Sequence, residues 1–331
     1  MGYKRKTKEE LQQEVKILMG QMDTAIQDYA ADPAKVKELL QFMSTFYKYS
    51  AKNQFLIQSQ YPGATCVASY KQFKDRGFHV QKGEMGIRIY RPNMLTLFQV
   101  PGQEWKPMSQ ATVAEKKQIL RKEFKTKTVQ HFKLTSVFDI SQTNAKPEDV
   151  PDLLPNKPEK FDTVENIEII NKALREISEE EGIFVYSYEE AAQLNLKLGA
   201  SKGAHIQTEN GTELIVVRAD PSTTEYTHTL IHELAHAHMH HGIKQDHLTT
   251  AEKEYQAEMA AYVVSEHLGI DTWDFSEAYI ANWTKNGTHL ENAQLLLKEV
   301  GEFGHQFIPK LEEQRESILE RIEEQDKERS R

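Results

Sequence analysis

The sequence predicts an α+β protein of two domains, and three observations carry that expectation. The sign of the charge changes near residue 150, a run of prolines falls at the same place, and helical apolar spacing mixes with short β-prone runs on both sides of it. The chain has 331 residues, 39% of them hydrophobic and 9% aromatic, enough for two cores. Its formal net charge of −9 divides into +9 over residues 1–150 and −18 over residues 151–331. Between Lys71 and Lys133, fourteen Lys/Arg stand against five Asp/Glu. A basic stretch inside an acidic chain is the footprint of a polyanion-binding face. Pro147, Pro151, Pro155 and Pro158 exclude a regular helix over residues 144–160 and mark an extended linker.

In the first domain, residues 10–19 and 35–48 carry apolar residues at helical spacing, Leu39, Phe42, Met43 and Phe46 most clearly, so two helices open the chain. The texture then turns to short β-prone runs at 65–70, 87–90 and 134–140, with Gly77, Gly83 and Gly86 among them. In the second domain, Ile167, Ile170, Leu174 and Ile177 share one helical face, and Ile206 and residues 214–217 flank the hairpin signal Asn210-Gly211. A His-rich helix follows, then a helix over about 251–267, a region with Trp273, Tyr279 and Trp283, and a charged helical tail from Leu311.

The single cysteine, Cys66, excludes disulfides and a cysteine-based zinc site, and suits a reducing cytosol. The charged start lacks an apolar signal region, and no run of about 18 apolar residues occurs. A soluble, cytoplasmic protein with no membrane partner is expected.

Seven of the thirteen histidines lie between His228 and His247. Within His232-Glu233-Leu234-Ala235-His236, the two imidazoles are four residues apart and share one helical face, so both can bind one ion. Glu233 projects to the side, placed to take a proton from a zinc-activated water as it attacks a carbonyl. A histidine third ligand ten residues after His232 is excluded by Gly242. That leaves the carboxylates of the following helix, where Glu254 and Glu258 repeat the four-residue spacing: Glu254 is assigned as ligand, and Glu258 as acceptor for the spare N–H of a ligand histidine. His228 and His240 extend the same stripe, whereas His238, His241 and His247 fall off or beyond it.

Aromatic and basic residues interleave through Tyr70, Lys71, Phe73, Lys74, Arg76, Lys82, Arg88 and Tyr90, the pattern with which single-stranded nucleic acid is bound. The competing reading makes the aromatics a small core and the charges a solvated face.

Four segments then resemble a known family: Asn53-Gln54-Phe55-Leu56-Ile57, Gly63-Ala64-Thr65-Cys66-Val67-Ala68-Ser69-Tyr70, Lys82-Gly83-Glu84-Met85-Gly86-Ile87 and Val137-Phe138-Asp139-Ile140-Ser141-Gln142-Thr143. In this order they resemble the N-terminal domain of ArdC-type antirestriction proteins. The second half resembles the zincin-type metallopeptidase domain that accompanies it, similar also to ImmA/IrrE-like peptidases. The resemblance implies an α+β fold of two domains, the second a zincin-like metallopeptidase fold. It divides the chain into a single-stranded-DNA-binding domain (1–145), the linker (146–160), the metallopeptidase domain (161–305) and the tail (306–331). It also implies a mobile-element antirestriction function with Zn²⁺ as cofactor, and with single-stranded DNA and a peptide or protein substrate as partners. The alternative is a DNA-binding antirestriction protein whose metal domain is structural. Gly83 and Gly86 would form a tight turn presenting N–H groups to phosphate. The basic insert at 105–127 is longer than the family pattern.

Overall fold

In a computed structural model of the chain, the described residues are 7–30, 32–145, 164–194, 202–208, 210–218, 220–240, 248–273, 276 and 293–329. The linker at 146–160, Tyr279 and Trp283 lie outside them. The chain forms two compact units, Met1–Gly63 with Pro151–Arg331 and, separately, Ala64–Val150.

Three helices open the chain, α1 (Lys8–Ala30), α2 (Pro33–Thr45) and α3 (Ala51–Gln60). Asp32 caps α2 by accepting the N–H of Ala34, and Pro33 fills its first turn. Sequence spacing predicts two helices here. The third escapes it because α3 buries Asn53, Gln54 and Gln58 as well as Phe55, Leu56 and Ile57, so no single apolar face repeats. The Gln54 amide donates to the carbonyls of Phe46 (3.1 Å) and Tyr49 (2.9 Å) and ties the α2–α3 turn together.

The unit Ala64–Val150 holds β1 (Val67–Ala68), α4 (Tyr70–Asp75), β2 (Ile87–Gln99), β3 (Trp105–Pro107), α5 (Val113–Leu120) and β4 (Lys125–Asp139). The strands form one antiparallel sheet in the order β1-β4-β2-β3. Three of the family segments converge here. The buried Asp139 carboxylate accepts the N–H groups of Thr65 (2.8 Å) and Cys66 (3.0 Å), and Gln142 donates to Glu84 (2.8 Å) and to the Met85 carbonyl (2.9 Å). These motif residues hold loops to the sheet.

The first unit continues with α6 (Val164–Glu180), β5 (Ile183–Ser187), α7 (Tyr188–Gln193), β6 (Gly203–Gln207), β7 (Glu213–Val217), α8 (Thr224–Met239), α9 (Thr250–His267) and α10 (Ala293–Arg329). The predicted hairpin forms between β6 and β7, and β5, which sequence reading omits, pairs with β7 in parallel. In the resulting order β5-β7-β6, the central strand is β7.

Packing divides the chain differently from the boundaries expected from sequence. The division at 145–160 does not follow the packing, because α1, α2 and α3 belong with the second half. The reason lies in α9, which is buried nearly all round from Tyr255 to Ser265 and needs cover on every side. α2 packs on α9, while α1 and α3 pack on α10. The Tyr47 hydroxyl donates to Glu312 (2.6 Å), whose carboxylate also meets His267 (3.2 Å). The charged tail from 306 is likewise no separate element: α10 is one helix of 37 residues. It buries Leu296, Val300, Phe307, Leu311 and Ile318, so position 306 falls mid-helix within a buried face. Among the described residues, no helix is long and apolar enough to cross a membrane.

The contact between α10 and α3 depends on Gly301. A Cβ there would stand 2.9 Å from the Ala51 Cβ and 3.0 Å from the Gln54 carboxamide oxygen. Gly301→Val is expected to lower stability by about 1–3 kcal/mol, read as a fall in the thermal midpoint of the intact chain. An unchanged midpoint would mean that the opening helices are not integral to this unit.

Candidate metal centre

α8 begins where the Thr223 hydroxyl accepts the Tyr226 N–H, and α9 begins with a reciprocal cap between Thr249 and Glu252. The two helices pack together, with Ala257, Ala260 and Ala261 fully buried on α9. That close approach sets one i, i+4 pair against another.

His232 and His236 face Glu254 across the helix contact. His232 Nε2 and His236 Nε2 are 3.1 Å apart, His232 Nε2 and Glu254 Oε2 3.6 Å, and His236 Nε2 and Glu254 Oε1 3.4 Å. A tetrahedral ion about 2.0–2.1 Å from each donor requires donors roughly 3.3 Å apart. Two imidazoles and one carboxylate at these separations therefore fit a single divalent ion.

The surrounding hydrogen bonds suit neutral ligand histidines. Glu258 Oε2 is 3.1 Å from His232 Nδ1, and its other oxygen takes His228 Nε2 (3.1 Å) and the Ser276 hydroxyl (2.6 Å). Its side chain is 5% exposed, against 27% for Glu254. Among the described residues, no carboxylate stands behind His236. Its Nδ1 meets His240 Nδ1 at 2.8 Å, His240 Nε2 meets Gln256 Oε1 at 3.0 Å, and the Gln256 amide donates to Glu299 at 2.5 Å. If His236 Nε2 holds a metal, its Nδ1–H can donate to His240, and every later link in this series also runs from donor to acceptor.

Burial pushes the His232 imidazole down, but hydrogen bonds to Glu254 and Glu258 outweigh it and raise the group to about 10. Hydrogen bonds from His232 and His236 hold Glu254 well below the usual carboxylate range. Burial opposes the ionised form of Glu258, yet bonds to His228 and His232 keep it low as well. Burial lowers His240 to about 4, keeping it neutral as the relay requires. The cluster is built to hold positive charge, as a proton or as a metal ion.

Glu233 is 7% exposed. Burial pushes its carboxyl up, against the pull of His232 and His236, and it accepts the backbone N–H of His205. This approach of β6 to α8 needs Gly203, where a Cβ would lie 2.7 Å from both Glu233 Oε1 and Thr229 Cγ2. Gly203 and His205 were not legible in the sequence, since their roles come from spacing between elements. Of the other histidines, His238 pairs with Glu181 (2.9 Å), while His241 and His247 lie outside the described residues.

The residues expected to bind nucleic acid divide differently. Lys71, Lys74, Arg76 and Lys82 are exposed, as is Tyr70. Phe73 is not a stacking surface: at 1% exposure it is the buried face of α4. α4 itself replaces the expected strand end, because Ser69 and Gln72 form a capping box there. Arg88 donates to Ser136 Oγ (2.9 Å). Gly83 does turn with positive φ (+101°), but Gly86 serves packing, since a Cβ there would meet the Ser136 Cβ at 2.7 Å.

Residues 8–138 match the N-terminal domain of anti-restriction factor ArdC, and residues 191–285 match an IrrE N-terminal-like domain of metallopeptidase type. The chain thus carries an ArdC-like N-terminal domain and an IrrE-like domain of metallopeptidase type. The first match spans both compact units, so the boundaries of the match and of the packing differ in this chain. An uncharacterized protein of Bacillus anthracis is 35% identical over 335 residues, covering 99% of this chain and 56% of its own length. The chain thus spans about half of that relative. Two crystal structures of the antirestriction ArdC protein from the R388 plasmid, one metal-free and one Mn(II)-bound, each cover 81% of this chain. They are 15% and 18% identical, with 86% and 85% of their own chains covered and TM-scores of 0.43 and 0.39.

The purified chain is expected to bind one divalent ion per molecule, and His232→Ala to bind none. Removing an outer partner of a ligand typically costs about 10–100-fold in metal affinity. Glu258→Gln and His240→Ala are each expected to fall in that range by chelator competition, and affinities equal to wild type would remove them from the site.

Proposed function

We propose that this chain is an ArdC-type protein that combines a zinc metallopeptidase centre with a single-stranded-DNA-binding unit, in the antirestriction function of a mobile element. The observation that carries the peptidase part is the triad His232, His236 and Glu254 at tetrahedral separations, with the buried carboxylate of Glu233 on the same helix. Zn²⁺ suits this nitrogen-rich set better than Mn²⁺, which favours oxygen ligands. When bound, zinc would polarise a carbonyl and acidify water at its open position. His232, His236 and Glu254 would hold it, and Glu258 and His240 would fix the two imidazoles. Glu233, with its raised pKa, would take the proton from the attacking water and return it to the leaving amine.

A substrate in extended form would pair with β6. β7 is paired on both sides and offers no free edge. The ladder bonds at Lys202–Arg218 and Thr208–Thr212 turn Ala204 and Ile206 towards β7, so the backbone groups of Gly203, His205 and Gln207 face outward beside Glu233.

One observation favours a second reading, in which the metal is structural and DNA protection is the whole function. Glu233 is buried and already engaged by the His205 N–H. Glu233→Gln separates the two. For the peptidase reading, wild type should cleave a quenched-fluorescence peptide library in a zinc-dependent way, and the variant should lose about 10²–10⁴-fold in rate while keeping its metal. Undiminished cleavage by the variant would exclude Glu233 as base. Intact antirestriction activity in the variant would assign the metal to structure.

A further inference from the structure

The basic insert at 105–127 belongs to a long arm. β2 and β4 pair without interruption from Ile87↔Val137 to Gln99↔Lys125, thirteen residue pairs or about 40 Å. The ladder is anchored at one end by buried Ile87, Ile89 and Val137, and at the other by buried Phe98, which stacks on Phe124. Between these ends its residues are exposed or half-buried, and none is buried.

Cross-strand partners share a face. One face of the arm therefore carries Arg91 with Lys133, Asn93 with His131, the apolar pair Leu95 with Val129, Leu97 with Lys127, and Gln99 with Lys125. β3 extends it, placing Trp105 opposite Gln99, and Lys127 Nζ lies 4.2 Å from the centre of the indole. No acidic residue occurs in β2, β3 or β4 before Asp139.

A merely solvated sheet face gains stability from alternating charge, and like charges directly opposite destabilise it. Arg91 opposite Lys133 is such a cost. Edge lysines can serve to block unwanted strand pairing, but that purpose does not require two cations to face each other in one cross-strand pair.

We infer that this face of the β2–β4 arm, centred on Arg91, Lys133 and Lys127 with Trp105 and His131 beside them, is the surface that binds single-stranded DNA. The inference rests on the DNA-binding reading proposed above and moves the site from α4 and the Gly83 turn to the arm. The cations take phosphates, and the two rings offer stacking surfaces to bases that a duplex keeps stacked.

The test uses the full chain and a labelled mixed-sequence single strand of about twenty nucleotides, longer than common site sizes of about 4–16. Arg91→Gln/Lys133→Gln is expected to weaken binding at least tenfold and to reduce the slope of log affinity against log salt by about 1.4, two phosphate contacts' worth. Lys71→Gln/Lys74→Gln should bind within about twofold of wild type. Arg91→Glu gives a readout that a structural role would not produce: it converts a like-charge pair into an opposite-charge pair, so the thermal midpoint should rise while DNA binding falls. Wild-type affinity and salt slope in the Arg91/Lys133 double variant would overturn the arm as the site, and a loss confined to the α4 variant would return it to the helix. Tighter binding of wild type to a duplex of the same sequence would overturn the choice of single strands. If wild type bound no nucleic acid, the failure would belong to the DNA-binding reading itself.

Discussion

The structure of the larger unit turns on one packing contact, α8 against α9. A metal ligand set drawn from two helices needs both i, i+4 pairs at the same level, with backbones close enough for imidazole and carboxylate to meet. Ala257, Ala260 and Ala261 allow that approach. The consequence is a helix buried nearly all round, since Met259 and Tyr262 are also fully enclosed. A helix with no solvent face cannot be stabilised by one neighbour. α2 and α10 provide the remaining cover, and α1 and α3 in turn pack on α10. The recruitment of the opening helices into this unit is thus a consequence of burying the carboxylate-bearing helix.

The same burial makes the electrostatics exacting. Several ionisable groups in one low-dielectric site are tolerated only when each is paired and hydrogen-bonded. Glu258 illustrates how this is met, with His228, His232 and Ser276 around its two oxygens. Glu254, more exposed, meets His232 and His236. The two ligand histidines are held differently, one by an ionised carboxylate and one by a neutral chain ending at Glu299. A carboxylate raises the donor strength of its imidazole more than a neutral ring does, so the two sides of the site are electronically unequal.

What the sequence disclosed follows from the range of each interaction. The His232/His236 and Glu254/Glu258 pairs were legible because helical spacing is local, and the hairpin at Asn210-Gly211 was legible for the same reason. α3 was hidden because complete burial erases periodicity. β5 was hidden because parallel pairing leaves no turn signal, and without β5 the strand β7 looks like an edge. Gly203 matters only because β6 approaches Glu233, which no spacing along the chain reveals. Phe73 was misassigned although its capping box, Ser69 to Gln72, was in plain view. Reading that box would have placed Phe73 on the inner face of a short helix.

The charge division gains meaning from the packing boundary. Moving residues 1–63 to the larger unit leaves Ala64–Val150 with a net charge of +7 and the remainder with −16. The two activities proposed for the chain would make opposite demands, because an acidic unit repels DNA and a basic one attracts it. Placing the cations in one unit and the clustered carboxylates in the other gives each unit its own net charge. Within the smaller unit the motif residues Asp139 and Gln142 are occupied in holding loops to the sheet. The side chains proposed to meet a ligand lie apart from these motif residues, so partner preference could change in the arm without disturbing the motifs that hold the unit together.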